Sequence, residues 1–148
     1  MRGHIITEKM FPAHRLFEPQ KRRYFTIGIG DGGNEIGMGK IPWETIAKNV
    51  PNGGLVACRV PTDYNIVCGV SNWGAYGLAA GVWHLRGMPF DEELFSADRE
   101  RELWEKVLRE AVLVDGVTGQ RTLTVDGLSW DDYIQPLREI AAILKESS

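Results

Sequence analysis

The sequence predicts an α/β fold, with a mostly parallel sheet of about four strands and helices packed on its faces. Short runs rich in β-branched and aromatic residues alternate with longer segments of helical periodicity. Glycine and proline breakers separate these segments. The chain has 148 residues, of which 43 % are hydrophobic and 25 % charged, as in a soluble globular protein. We therefore expect a single α/β domain over residues 1–148.

Four segments have the composition of short strands. The run "RYFTIGIG" is β-branched and aromatic and ends at a glycine. The breaker "PTD" separates two further apolar runs, and "RTLTVDG" is the last candidate. Residues 1–22 show no clean period, which predicts an irregular or weakly helical N-terminal segment. The predicted strands cover residues 23–30, 54–60, 65–71 and 121–127.

The helices are predicted by their ends and by their spacing of apolar residues. Residues 42–50 begin with a proline and stop before the turn "PNGG". Residues 72–87 are rich in small residues and end at a glycine, which predicts a closely packed helix. Apolar residues at helical spacing predict a helix within residues 91–116. Ser129 is a predicted N-cap, from which a last helix runs to about Lys145.

Charge and composition limit the classes of partner. The net charge is −3, which gives no reason to expect a nucleic acid. No run approaches 18 consecutive apolar residues, so no membrane span is expected. The N-terminal residues lack the apolar core and cleavage site of a secretory signal. We expect a cytoplasmic protein.

A glycine-rich stretch marks the candidate site. Residues 26–41 hold six of the seventeen glycines, together with Asp31, Asn34 and Glu35. Ligands of open α/β sheets bind outside the carboxyl ends of the strands, and these three side chains directly follow the first predicted strand. Glycines there permit positive φ and let backbone N–H groups approach a ligand.

The stretch does not fit the common glycine-rich motifs. Gly28, Gly30 and Gly33 match the dinucleotide fingerprint, but no acid follows about twenty residues later. The stretch also lacks residues that a P-loop and a Ca²⁺ loop require. Asp31 and Glu35 suit a metal ion, an amino group or proton transfer better than a phosphate. The alternative is structural, a turn whose polar side chains bond local backbone.

Further polar residues follow other predicted strands or turns. Ser71, Asn72 and Trp73 come at the carboxyl end of the strand over residues 65–71. Asn72 could bind a ligand or cap a helix, and Trp73 could form a pocket wall or belong to the core. Asp115 and Asp126 each precede a glycine, and Asp-Gly is by itself an ordinary turn dipeptide.

Three stretches together resemble the C-terminal domain of the D-glutamate cyclase family. They are, in order, "GIGDGGNEIGMGKI", "VPTDYNIVCGVSNWGAYGLAA" and "VDGVTGQRTLTVDGL", and the resemblance covers roughly residues 23–140. It implies a carbon–oxygen lyase that converts D-glutamate to 5-oxo-D-proline with loss of water. Some members of the family are mitochondrial, which makes the mitochondrial matrix the alternative compartment.

The reaction indicates which residues to test. It needs a base for the ammonium, an acid or metal at the carboxyl oxygen, and donors for an oxyanion. Asp31 and Glu35 are the predicted catalytic pair, with the individual roles left open, and they are the predicted ligands of Mg²⁺ or Mn²⁺ if a cation is used. The predicted substrate-binding residues are Gly30, Gly32, Gly33, Asn34, Ser71, Asn72, Trp73, Asp115 and Asp126.

The resemblance also carries an expectation about completeness. The family domain is roughly twice as long, so we expect this chain to correspond to its second half. Self-association, or a partner chain supplying the missing N-terminal half, is then expected, and the chain alone would be weakly active or inactive. The alternative function is a non-catalytic module that binds an amino acid or a nucleotide at the glycine-rich loop.

Overall fold

The computed structural model describes residues 8, 11–18 and 24–147. The prediction of an irregular segment over residues 1–22 is therefore tested only in part, and Ala13–Phe17 form a 3-10 helix there without a buried residue. The chain divides into two compact units, Met1–Gly74 and Ala75–Ser148. The prediction of one domain over residues 1–148 stays a prediction. The elements that follow the 3-10 helix are β1 Ile27–Gly30, α1 Trp43–Asn49, α2 Gly53–Val56, β2 Tyr64–Val67, α3 Ser71–Leu85, α4 Ala97–Glu110 and α5 Trp130–Glu146.

The first unit is built on a parallel pair of strands. β1 and β2 pair from Ile27 opposite Tyr64 to Gly30 opposite Val67. The parallel arrangement confirms the predicted α/β character, and it brings the carboxyl ends of both strands to the same edge. At the opposite edge, Asp63 Oδ2 accepts hydrogen bonds from the backbone N–H of Thr26 at 2.7 Å and from its hydroxyl at 2.8 Å.

The segment after the glycine-rich loop packs directly onto the strand backbone. A Cβ atom placed on Gly28 would lie 2.6 Å from Gly37 Cα and 2.6 Å from Ile36 O. The two chain segments can approach this closely only because position 28 has no side chain. Thr62 Oγ1 accepts the Gly28 N–H at 3.1 Å and fixes this contact from the start of β2. Gly28 is therefore required for the close packing of the two segments, in addition to any role of the glycines in loop conformation.

Two of the four predicted strands are not strands, so the sheet has two strands among the residues described. Residues 54–60 begin within α2, because Asn52 has a φ of +59° and starts a helical turn rather than an extended segment. In residues 121–127 only an isolated bridge between Val125 and Leu128 forms. Asp126 and Gly127 have φ of +52° and +80°, which turns the chain away from extended structure.

The predicted helices are confirmed, with shifted ends. Ser129 caps α5 by accepting the N–H of Asp132, as its sequence position predicts. Ser96 caps α4 in the same way, through the N–H of Arg99. Gly87 has a φ of +60° and follows the end of α3. Described helices lack the length and apolar character needed to cross a membrane.

The core of the second unit includes one face of α5. Tyr133, Ile134, Leu137 and Leu144 of that helix are buried. Glu100 Oε1 accepts hydrogen bonds from the hydroxyls of Tyr133 (3.0 Å) and Tyr76 and from Trp104 Nε1 (3.2 Å). Burial and the hydrogen bonds to Glu100 and Tyr133 raise the pKa of Tyr76, so its hydroxyl stays protonated and keeps donating. One carboxylate oxygen therefore joins α3, α4 and α5.

The expectation that α3 is closely packed is met only in part. Ala80 is buried, but Val82 is 49 % exposed and Leu85 is 86 % exposed. A helix of 15 residues with such a mixed surface has no single core-facing stripe. The exposed apolar residues of α3 are compatible with the predicted partner or self-association, which stays a prediction.

Candidate functional site

Asp31 joins the end of β1 to the start of α3. The parallel ladder continues past β2 through a hydrogen bond from Cys68 N to Gly30 O at 3.1 Å. The chain then turns, and α3 begins at Ser71. Asp31 Oδ2 accepts both the backbone N–H and the hydroxyl of Ser71, each at 2.6 Å. The carboxylate thus caps a helix whose first residue is forty positions away, and its negative charge lies at the helix N-terminus.

Glu35 folds back beneath the loop that carries it. Its Oε1 accepts the N–H of Gly32 at 3.0 Å. Its Oε2 is buried and has no hydrogen-bond partner among the described residues. A Cβ atom at Gly30 would lie 2.8 Å from this Oε2 and 2.5 Å from the Met38 methyl. An unpaired buried carboxylate oxygen is costly, so this arrangement is unusual for a side chain that only fills space.

The backbone of the loop is only partly available to a ligand. The Gly32 N–H is already bonded to Glu35, and the Gly33 carbonyl accepts the N–H of Cys58 at 2.8 Å. Gly33 has a φ of +83°, a conformation that glycine adopts without strain. Asn34 is exposed at the outside of the turn. The prediction that loop N–H groups bind substrate is untested, and Gly32 would have to exchange its present partner.

Asn72 and Trp73 stand in the first turn of α3, next to Ser71. Both are half-buried. The Trp73 ring packs over Gly69, where a Cβ atom would lie 3.3 Å from the ring edge. The contact of Asp31 with Ser71 therefore brings the predicted residues from the two strand ends into one region of the first unit. Their role as a substrate pocket remains a prediction.

Asp115 organises a turn in the second unit. Its Oδ1 accepts the N–H groups of Val117 and Thr118 at 2.8 Å each, and its Oδ2 accepts the N–H of Gly127 at 2.9 Å. Burial alone would raise the pKa of Asp115, but these backbone hydrogen bonds outweigh it and lower the pKa to about 2. The geometry favours the structural interpretation for Asp115. Exposed Asp126, with positive φ, is a turn residue beside it.

This geometry predicts an acid-sensitive turn. The folded pKa of Asp115 lies below its ordinary value of 3.8, so its stabilisation is present above about pH 4 and is lost as the pH falls towards 2. We expect Asp115→Asn to lower the free energy of unfolding by about 1–3 kcal/mol, because the amide group would turn a donor towards one backbone N–H. Urea unfolding at pH 7 and pH 3 measures both effects. An unchanged stability of the variant at pH 7 would contradict the assignment.

The described side chains offer few ligands for a metal ion. Among the described residues, no group of three or more His, Cys, Asp or Glu is arranged to hold a metal ion. Asp31 and Glu35 could supply two oxygen ligands for Mg²⁺ or Mn²⁺, and the remaining ligands would have to come from substrate or water. The predicted divalent cation therefore stays a prediction.

Two polar networks of the structure were not predicted from the sequence. Thr26 and Asp63 tie the starts of β1 and β2 together, whereas Asp63 by its sequence resembles a surface turn residue. Glu100 lies within an acidic and basic helix, and nothing in its spacing distinguishes it from the exposed charges around it. Both networks join residues that are distant in sequence, so local patterns could not reveal them.

The fold and the site define a mixed helix and strand protein with a polar glycine-rich loop at the carboxyl end of a parallel strand pair. A family model described as D-glutamate cyclase-like, C-terminal, matches residues 1–141. The chain belongs to this family, which confirms the resemblance found in the sequence. It is also 47 % identical over 60 residues to the mitochondrial D-glutamate cyclase of Homo sapiens. That match covers 40 % of this chain and 10 % of the human protein.

Proposed function

We propose that this chain takes part in the cyclisation of D-glutamate to 5-oxo-D-proline and water, at the loop formed by residues 30–35. Membership of the D-glutamate cyclase-like family is the observation that carries the proposal. The arrangement of Asp31 and Glu35 around the loop supports it, because the reaction needs carboxyl groups for proton transfer.

The reaction is a balanced loss of water. The substrate nitrogen forms a bond to the side-chain carboxyl carbon, and one carbon–oxygen bond of that carboxyl group breaks. Two protons of the ammonium group leave with the oxygen as water, and the third stays on the lactam nitrogen. A carboxylate near the ammonium can accept the first proton, and a curled substrate conformer brings the nitrogen to the carbon.

Incubation with D-glutamate tests the proposal. We expect chiral chromatography to show D-glutamate consumed and 5-oxo-D-proline formed, with L-glutamate left intact as the matched control. A spontaneous reaction is excluded by running the heat-inactivated protein beside the active one. If neither enantiomer is consumed at any protein concentration, this chain is not a cyclase on its own.

A second candidate is a binding module without catalysis. The Asp31–Ser71 contact favours it, because the present hydrogen bonds already satisfy one carboxylate oxygen without a ligand. D-glutamate would then raise the melting temperature without product formation. The expected self-association, or the partner chain that supplies an N-terminal half, belongs instead to the cyclase proposal. Activity that appears only with added partner or at high protein concentration would support it.

A further inference from the structure

The carboxylates of Asp31 and Glu35 differ in whether an oxygen atom is accessible to a ligand. In Asp31, Oδ2 is occupied by the N–H and the hydroxyl of Ser71, both at 2.6 Å. Its Oδ1 accepts no hydrogen bond from the described residues. This oxygen is not buried either. Asp31 is half-buried, so one oxygen is held and the other is open to solvent.

In Glu35 one carboxylate oxygen is also hydrogen-bonded, but the second is buried instead of exposed. Its Oε1 is engaged with the Gly32 N–H, and its Oε2 is buried against Gly30 and the methyl group of Met38. A ligand arriving from solvent cannot reach Oε2 unless the loop moves. The side chain instead joins the two ends of its own turn, where Oε1 replaces water as the acceptor for a loop N–H.

We propose that the two carboxylates have different roles. Asp31 presents Oδ1 to the ammonium group of an amino-acid substrate and accepts its proton, Ser71 is the positioning residue that fixes that oxygen, and Glu35 braces the loop from inside. The inference rests on the proposed function for the identity of the reaction. The geometry of the carboxylates stands without it.

The assignment follows from the chemistry of each group. An ammonium donates hydrogen bonds, and it pairs best with an accessible carboxylate oxygen of fixed direction. Two donors from Ser71 fix the plane of the Asp31 carboxylate, which sets the direction of Oδ1. Transfer of one proton leaves a neutral amine and a protonated Asp31, and the amine can then attack the substrate carboxyl carbon.

Carboxyl footprinting tests the geometry without any turnover. The folded protein is treated with a water-soluble carbodiimide and glycine ethyl ester, and the labelled peptides are quantified by mass spectrometry. We expect Asp31 to be labelled about tenfold faster than Glu35, because labelling of Glu35 requires local opening. In urea the two rates should converge, which controls for intrinsic reactivity. Equal rates in the folded protein, or faster labelling of Glu35, would overturn the proposal.

Variants of Ser71 test the positioning role. Ser71→Ala removes the hydroxyl donor, and we expect faster labelling of Asp31 and a fall in kcat of about tenfold at nearly constant KM, since the carboxylate is less well oriented. Ser71→Thr keeps the hydroxyl and should restore both readouts. Ser129→Ala is the matched control, because it removes a serine hydroxyl at the start of another helix, α5. It should lower the melting temperature without changing kcat or the labelling of Asp31.

The outcomes separate this inference from the proposed function. If the wild-type chain does not consume D-glutamate, the proposed function fails, while the labelling order still decides the roles of the two carboxylates. If D-glutamate is consumed but Ser71→Ala changes neither labelling nor kcat, the positioning role is wrong and the proposed function stands.

Discussion

Asp31→Asn is expected to lower the turnover of D-glutamate by a factor on the order of 10² or more, because an amide cannot accept the substrate proton. The asparagine carbonyl can still accept both hydrogen bonds from Ser71, so the helix remains capped. The loss of charge should cost about 1 kcal/mol of unfolding free energy, the difference between charged and neutral hydrogen bonds. Initial rates and urea unfolding of the same preparation measure both quantities.

The first unit contains a matched control for this variant. Asp63 also uses one oxygen to accept the N–H and the hydroxyl of a single residue, Thr26, at 2.7 and 2.8 Å. It lies at the start of the strand pair, whereas the loop of residues 30–35 follows the end of β1. Asp63→Asn should therefore lower stability by a similar amount and leave turnover unchanged. Full activity of Asp31→Asn, or an equal loss of activity in both variants, would refute a chemical role for Asp31.

Local sequence signals predicted the parts of the fold that local interactions determine. The serine at position 129 and the acids after it were sufficient to predict where α5 begins. Periodic apolar residues likewise predicted α4. The N-cap hydrogen bond of each helix lies within its first turn, and the apolar spacing is visible in the sequence, so local patterns were enough to predict these helices.

Strands and site contacts depend on distant partners, and there the sequence was less informative. Residues 54–60 have strand-like composition, but a turn that starts at Asn52 makes their first half helical. In residues 121–127, the chain turns at Asp126 and Gly127, and the Gly127 N–H donates to Asp115 instead of to a neighbouring strand. Composition measures how well a residue suits a pleated surface, and it does not supply the neighbouring strand.

The candidate site shows the same division. The density of glycines and acids was enough to locate the loop at the carboxyl end of β1. The pairing of Asp31 with Ser71 joins two predicted site residues that are forty positions apart, and only the folded backbone reveals it. The different environments of Asp31 and Glu35 could not be predicted from the sequence either, because both are acids in the same short motif.

Gly33→Ala should strongly destabilise the protein, with a loss of about 2–5 kcal/mol of unfolding free energy. Two independent costs add. A φ of +83° is strained for any residue with a Cβ atom, which costs about 1–2 kcal/mol. The new Cβ would also lie 2.6 Å from Cγ2 of buried Ile46, and overpacking of this kind costs about 1–3 kcal/mol.

Gly77→Ala is the matched control for this glycine. Gly77 lies inside α3, and a Cβ atom there would meet nothing within 4 Å. Alanine favours a helix interior over glycine by about 0.5–1 kcal/mol, so this variant should be slightly more stable than the wild type. Urea unfolding of the two variants beside the wild type gives both differences. If Gly33→Ala matched the wild type in stability, position 33 would not hold a left-handed conformation, and the shape assigned to the loop around Asp31 and Glu35 would be wrong.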